Sequence, residues 1–512
     1  MGLFDFFKKK TIAAEAPRAS SKPAVRVADV AFLPVGADTW VISRASGKAS
    51  RLVSSDAGIL ERCTRFRTTL DHAGALGEAL GLDRNEVSEL AARLDTWVEL
   101  GFLVSSRAIP RGQAGTGVAI SVIGVNGRGP ELSAGGRTVL REASAAFLER
   151  IAEASGLALE RVARVVGSGG RGAFNGALLR GAGSGVACFD QGLTGRAAAL
   201  PESPGTTIAD DPRGWWPKDG LEPAAIELCA PLEALLGKPL GAAVAEPIAI
   251  PEISTPMLSA CTSERARIRA VVLGALGPSA RSLHERLVAE GKSRTRLVDE
   301  GLRVNDAEHA RGTASHAIGH AFTIAAPALA IDAREYVPPF LGEDASSYGW
   351  VFGQLVPRGL VAHVPLLAEC TRPLFTRDPT DTSVERLLAL AGSSFGALSP
   401  IDDPRDRTLE LAEHLRALAS SDELLGVVES ARLESLSAWA RRLDAALSTH
   451  EAEPKEWVSA VGDLRARFED AAPRRPSDES LGVLRKSLGD AAETLEDWPR
   501  LFEAALKTRE SR

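Results

Sequence analysis

The chain has 512 residues, 45% hydrophobic and 25% charged, enough for three or so domains at roughly 100 to 200 residues each. A formal net charge of -7 leaves no basic footprint, so nucleic acid is not expected as a partner. Cysteines at 63, 188, 229, 261 and 370 are widely spaced without a CxxC, which suggests neither a zinc ribbon nor a disulfide framework and fits a reducing cytoplasm.

The opening MGLFDFFKKK has its lysines after its aromatics, the reverse of a signal peptide, and Phe6 stands where myristoylation wants Ser or Thr. Residues 1–24 are expected to form a flexible tail, since from Lys8 onward they carry no apolar periodicity. Phe4, Phe6 and Phe7 beside Lys8 to Lys10 offer a weak contact for an anionic membrane surface. The longest apolar run, Ala321 to Ile331, is broken by Pro327 and falls short of the roughly 20 residues that span a bilayer. A soluble, cytoplasmic protein is expected.

Val25, Val27, Val30 and Phe32 precede a turn at Gly36, and Thr39 to Ser43 with Ala49 to Val53 read as a hairpin. Ser55 or Asp56 is the expected cap of a helix holding Ile59 and Leu60. A second helix spans about Leu70 to Leu80 and stops at Gly81. Asp83 starts a third, in which Val87, Leu90, Leu94 and Val98 recur at three- and four-residue steps, before LGFLVS closes as a short strand. The pieces DTWVIS, SSDAGILERC and WVELGFLV resemble the PqqD-like family of small winged-helix modules that recognise leader peptides. The resemblance covers 25–104 and implies that an extended peptide adds beside the sheet edge. From the residues alone, a generic winged helix that packs on a neighbouring domain stays open.

Ser105 to Gly117 reads as a linker. Val118 to Val125 is a buried strand, a loop passes through Gly129 and Pro130, and a helix is expected from about Ser133. Strand, glycine-rich turn and helix open many nucleotide-binding α/β folds, because backbone NH groups there face phosphate. Neither GxGxxG nor a P-loop is present. The stretch instead resembles the first strand and loop of GT-A glycosyltransferases related to family two, which implies nucleotide contacts at Gly127, Arg128 and Glu131. RGAFNGALLRGAGSGVACFDQGL is similar to that family's next helix and metal-binding strand, where a run of aspartates holds Mg or Mn on a sugar diphosphate. Here the run is Phe189, Asp190, Gln191, and Phe174, Asn175 and Gly176 stand where polar residues would reach the nucleotide. Asp190 is the one carboxylate assigned to metal and diphosphate.

Between Pro201 and Pro256, Trp215 and Trp216 read either as anchors of a long loop or as platforms for sugar. Arginines between 265 and 296 read as a solvated helix face or a diphosphate contact. His316 and His320 are four apart, but HAIGH lacks the glutamate of HExxH and runs into the expected strand Ala321 to Ile331, which argues against a zinc pair.

Val337 to Cys370 carries the most unusual chemistry. Pro338 and Pro339 end an apolar run, Glu343 and Asp344 follow in a turn, a helix is expected from Ala345 with Phe352 and Leu355 buried, and Leu360 to Leu367 is a strand bearing His363. Taken alone, these are either carboxylates complementing a helix N-terminus with a core histidine, or a catalytic set. The order Pro-Pro-Phe, Glu-Asp, helix, Ala-His-x-Pro resembles the second half of the same glycosyltransferases. That implies Glu343 or Asp344 as the base taking the acceptor proton and His363 as a metal ligand, with Cys370 where relatives often have a second histidine.

After Pro373 the pattern turns to amphipathic helices, with Ser420 and Glu423 as a capping box and helices expected over 455–470, 477–491 and 494–508. The expected class is α/β: a flexible tail 1–24, a winged-helix-like α+β module 25–104, a linker 105–117, a GT-A-like mixed sheet 118–375 and an α-helical region 376–512. The resemblances imply sugar transfer from a nucleotide diphospho-sugar to a peptide or small-molecule acceptor, with Mg or Mn. The alternative is a non-catalytic recognition or scaffold protein that keeps the fold. Sugar, nucleotide, acceptor and oligomeric state are not legible.

Overall fold

The structure is a computed structural model that describes residues 23–510 except 45–46, 126–135, 168–169, 202, 219, 279–282, 290, 300–307, 325, 343–347, 373–379, 382, 394, 396–400, 402 and 449–454. The chain divides into two compact units, Met1–Ile109 and Pro110–Arg512.

In the first unit, β1 (Val25–Val27), β2 (Val30–Val35), β3 (Asp38–Ser43) and β4 (Ala49–Val53) lead into α1 (Ser54–Glu61), α2 (Thr69–Leu80) and α3 (Arg84–Glu99), and β5 (Leu103–Ser105) follows. β2, β3 and β4 form a three-stranded antiparallel sheet, while β1 pairs with β5. Alternation orients β3: Val41 is fully buried and its neighbour Trp40 is 40% exposed. Thr68 caps α2, which ends at Gly81 in the left-handed conformation, and Asp83 with Glu86 forms a reciprocal capping box on α3. The cap expected at Ser55 or Asp56 is displaced. α1 starts directly after β4 with no side-chain cap, and Asp56 pairs with Arg93 of α3 at 2.7 Å. Leu60, Leu90, Leu94 and Phe102 are fully buried and join helices to strands, each contributing about 1.5–3 kcal/mol.

The second unit begins with residues packed rather than free, although they were expected to be linker. The Gln113 amide donates to Gly241, and a Cβ on Gly117 would collide with the Glu233 carbonyl. Ser105, at the other end of that stretch, belongs to β5.

The order then runs β6 (Ile120–Val125), β7 (Thr138–Leu140), α4 (Ala145–Ser155), α5 (Leu159–Val166), α6 (Gly170–Arg180) and β8 (Gly185–Phe189). Of the helix expected from about Ser133, the described part is β7 followed by α4. β9 (Leu193–Ala199), β10 (Thr206–Ile208), β11 (Gly214–Pro217) and β12 (Ala224–Ala225) follow, then α7 (Cys229–Glu233), α8 (Leu240–Ala243), β13 (Ile248–Ala249) and α9 (Thr255–Thr262). Next are β14 (Ile268–Pro278), α10 (Leu283–Leu287), α11 (Gly291–Asp299), β15 (Glu308–Gly312), β16 (His316–His320), β17 (Ala328–Asp332), α12 (Tyr348–Leu355) and β18 (Leu360–Cys370).

These strands build one mixed sheet in the order β13-β10-β16-β18-β14-β17-β8-β6-β7, with β9, β11, β12 and β15 joined off that path. β6, β7, β8, β14 and β18 run one way; β16 and β17 run the other. β18 changes neighbours along its length, pairing with β16 from Leu360 to His363 and with β9 from Leu366 to Cys370.

The C-terminal helices are α13 (Val384–Ser393), α14 (Pro404–Ser420), α15 (Leu424–Ser448), α16 (Lys455–Ala471) and α17 (Asp478–Glu510). They share the body's core: one cluster takes in Cys188, Phe174, Phe340, Phe352, Leu415 and Trp498. The two helices expected over 477–491 and 494–508 are one, because buried positions Leu484, Leu488, Ala491, Leu495 and Trp498 continue the apolar stripe across the expected break. Ser420 does not cap; it ends α14, and the Glu423 amide donates to Ser421 Oγ instead. Among the described residues no helix is long and apolar enough to cross a membrane.

Candidate functional site

Ligands of open α/β sheets gather at the carboxyl ends of parallel strands. β6 and β8 are adjacent and parallel, with Val125 and Phe189 as register partners at their ends. The ends of β6 and β8 therefore lie side by side, and Asp190 follows directly on β8. Both strands read as nearly continuous apolar runs because both faces are covered. α6 covers β6 closely: a Cβ on Gly124 would lie 2.8 Å from that of Ala177.

Asp190 is 1% exposed, and its amide donates to Pro327 at 2.8 Å. The chain then turns through Gly192, whose φ is +99°, into β9. Because Leu193 pairs with Cys370, the carboxyl end of β18 is drawn to this turn. The Thr371 amide and Oγ1 both donate to the Gly192 carbonyl, at 2.8 and 3.1 Å. A Cβ on Gly192 would meet Arg372 Cγ at 3.0 Å. Burial, and then the Asp190 charge, push the Cys188 and Cys370 thiols well above their ordinary range.

His363 sits elsewhere. Cys188, Leu329, Val272 and His363 form one row across β8, β17, β14 and β18, so three strand spacings, about 14 Å, separate His363 from the Asp190 strand. Its Nε2 lies 2.9 Å from Thr323 Oγ1. Burial, with Arg213 and Arg311 nearby, lowers its pKa to about 3 despite Asp211. Asp211 in turn holds Arg213 through a two-point contact at 2.7 and 2.8 Å and Arg311 at 3.1 Å. Although burial opposes it, the two guanidiniums hold the Asp211 carboxyl well below the usual range. Arg311 also reaches Glu285 at 2.6 Å. In the sequence this constellation has a single visible signal, the run Asp210-Asp211-Pro212-Arg213, and its other members come from distant segments.

The Pro-Pro-Phe segment is bound into the body. Asn175 Nδ2 donates to the carbonyls of Val165 and Phe340 at 3.0 and 3.1 Å, the Phe340 amide donates back to Asn175 Oδ1 at 2.7 Å, and Tyr348 OH donates to Pro338 at 2.7 Å. Asn175, where a nucleotide contact would be looked for, is thus fully buried in a structural role. Glu343, Asp344, Gly127, Arg128 and Glu131 lie outside the described residues.

Trp215 and Trp216 form a strand, not a loop, with Trp215 5% exposed and the Arg296 guanidinium 3.3 Å from the Trp216 ring centroid. Arg286 and Arg294 are buried whereas Arg265 is exposed, so these arginines do not form one solvated face. His316 and His320 lie on β16, not a helix, and His316 is exposed while His320 is buried, roughly 13 Å apart along the strand.

A single Mg or Mn ion needs several oxygens at about 2.0–2.6 Å. Asp190 and His363 are too far apart to share one, and the cationic neighbours of His363 oppose another cation there. The side chain at β18's end nearest Asp190 is a protonated thiol, a poor partner for a hard ion. Among the described residues no three His, Cys, Asp or Glu side chains gather to hold a metal. Within the described residues, then, Asp190 and His363 do not form the ligand pair for the implied ion. No family model matches the chain, and no curated protein or solved structure matches it either.

Proposed function

We propose that the second unit is a GT-A-type transferase using a nucleotide diphospho-sugar, and that the first is a PqqD-like module recognising its peptide acceptor. The observation that carries the reading is the parallel pair β6 and β8, whose last residues Val125 and Phe189 are register partners, with Asp190 following β8. The acceptor hydroxyl oxygen attacks the anomeric carbon, the bond to the diphosphate breaks with its electron pair on phosphate, and Glu343 or Asp344 takes the acceptor proton. Asp190 accepts hydrogen bonds from donor hydroxyls. In the first unit β2 and β4 are sheet edges, with Leu33, Val35 and Val53 over half exposed, which suits an added peptide strand. Holding the acceptor on the same chain raises its effective concentration. The cytoplasm supplies nucleotide sugars and suits the free thiols.

The test is release of nucleoside diphosphate from a panel of nucleotide sugars by the full chain, water or a peptide acting as acceptor. Release by the wild type that is lost in Asp190→Asn supports the transferase. A second reading, a recognition scaffold, draws on the lone carboxylate of the Asp190 turn; no release with any donor, alongside retained peptide binding, favours it.

A further inference from the structure

The turn after Asp190 lacks the carboxylates for a divalent ion, yet a sugar diphosphate brings two negative charges to it. Asp190, the one carboxylate of this turn, brings no positive charge, so a cation is needed to meet them. We infer that Arg372 is that cation and that the donor diphosphate binds without a divalent metal, an inference that rests on the transferase reading.

The backbone before Arg372 is fixed by the two Thr371 hydrogen bonds to Gly192, and its stem packs on Gly192 closely enough that a Cβ there would touch it. The arginine is exposed, and among the described residues it makes no ion pair. Arg196, on the neighbouring β9, is already engaged with Glu369 at 3.5 Å and the Pro223 carbonyl. A guanidinium matches phosphate oxygens through two parallel N–H donors, so Arg372 supplies both charge and orientation. Gly192 then has two duties: its positive φ makes the turn, and its missing Cβ leaves room for the arginine stem.

Calorimetric titration of the full chain with UDP, GDP, ADP and CDP, each in EDTA and again with Mn, tests this. The wild type is expected to bind at least one diphosphate in EDTA. Arg372→Gln should weaken that binding about tenfold or more, as loss of a charged hydrogen bond does, leave the matching nucleoside's affinity unchanged, and keep the melting temperature. Arg372→Lys should recover part of the loss. Unchanged diphosphate affinity in Arg372→Gln, or wild-type binding that vanishes in EDTA, overturns the inference while leaving the transferase reading standing. No binding of any diphosphate under either condition overturns the transferase reading, and this inference with it.

Discussion

Asn175 and Phe340, 165 residues apart, exchange hydrogen bonds in both directions: the Asn175 side chain donates to the Phe340 carbonyl and accepts from its amide. The Phe340 ring packs there as well, its centroid 4.9 Å from that of Phe174 and 3.9 Å from that of Tyr348. One asparagine thus fastens the helix before β8 to the segment that precedes Glu343 and Asp344.

Replacing Asn175 with Ala leaves the Phe340 amide and two carbonyls buried without this partner. Each such group costs about 1–3 kcal/mol, so a loss of about 3 kcal/mol is expected. Urea unfolding should show a lower midpoint at unchanged slope.

His363 makes acid stability testable. An unfolded histidine titrates near 6.5, but in the fold His363 stays neutral to about 3. Unfolding takes up a proton between those values, so its contribution is whole above about pH 6.5 and is lost as pH falls towards 3. His363→Gln should flatten stability against pH between 4.5 and 6.5 by up to about 1.4 kcal/mol per pH unit. His72 and His320, whose pKa values burial also lowers, keep a residual slope.

All five cysteines are buried and free. Burial pushes Cys63, Cys229 and Cys261 up to about 12 and the two beside Asp190 higher. A thiol reagent at pH 8 should therefore titrate almost none in the native protein and all five after denaturation.

Asp83 closes the capping box of α3. Asp83→Ala should cost about 1 kcal/mol. If local opening governs cleavage, limited proteolysis between α2 and α3 should quicken about fivefold.

Local features were legible in the sequence. The helix start at Asp83, the Gly81 stop and the strand around His363 each depend on a few neighbouring residues, and each is present. Apart from the Ser420 box, displaced by one residue to Ser421, what failed was set by distant partners. Ser55 and Asp56 have cap chemistry, yet Asp56 is claimed by Arg93. Asp190 follows one readable strand and His363 stands on another, but their separation comes from β17 and β14 being inserted between β8 and β18, and no local pattern reports strand order. The approach of Arg372 to Gly192 likewise follows from β9 pairing with β18.

A nucleotide site is proposed at the carboxyl ends of β6, β8 and β18. Hydrogen exchange of the full chain, with and without a saturating nucleoside diphosphate, tests it most directly. Protection confined to peptides covering 120–135, 186–199 and 366–379 is the expected result. Protection absent from all three, or found only in other parts of the chain, would contradict it.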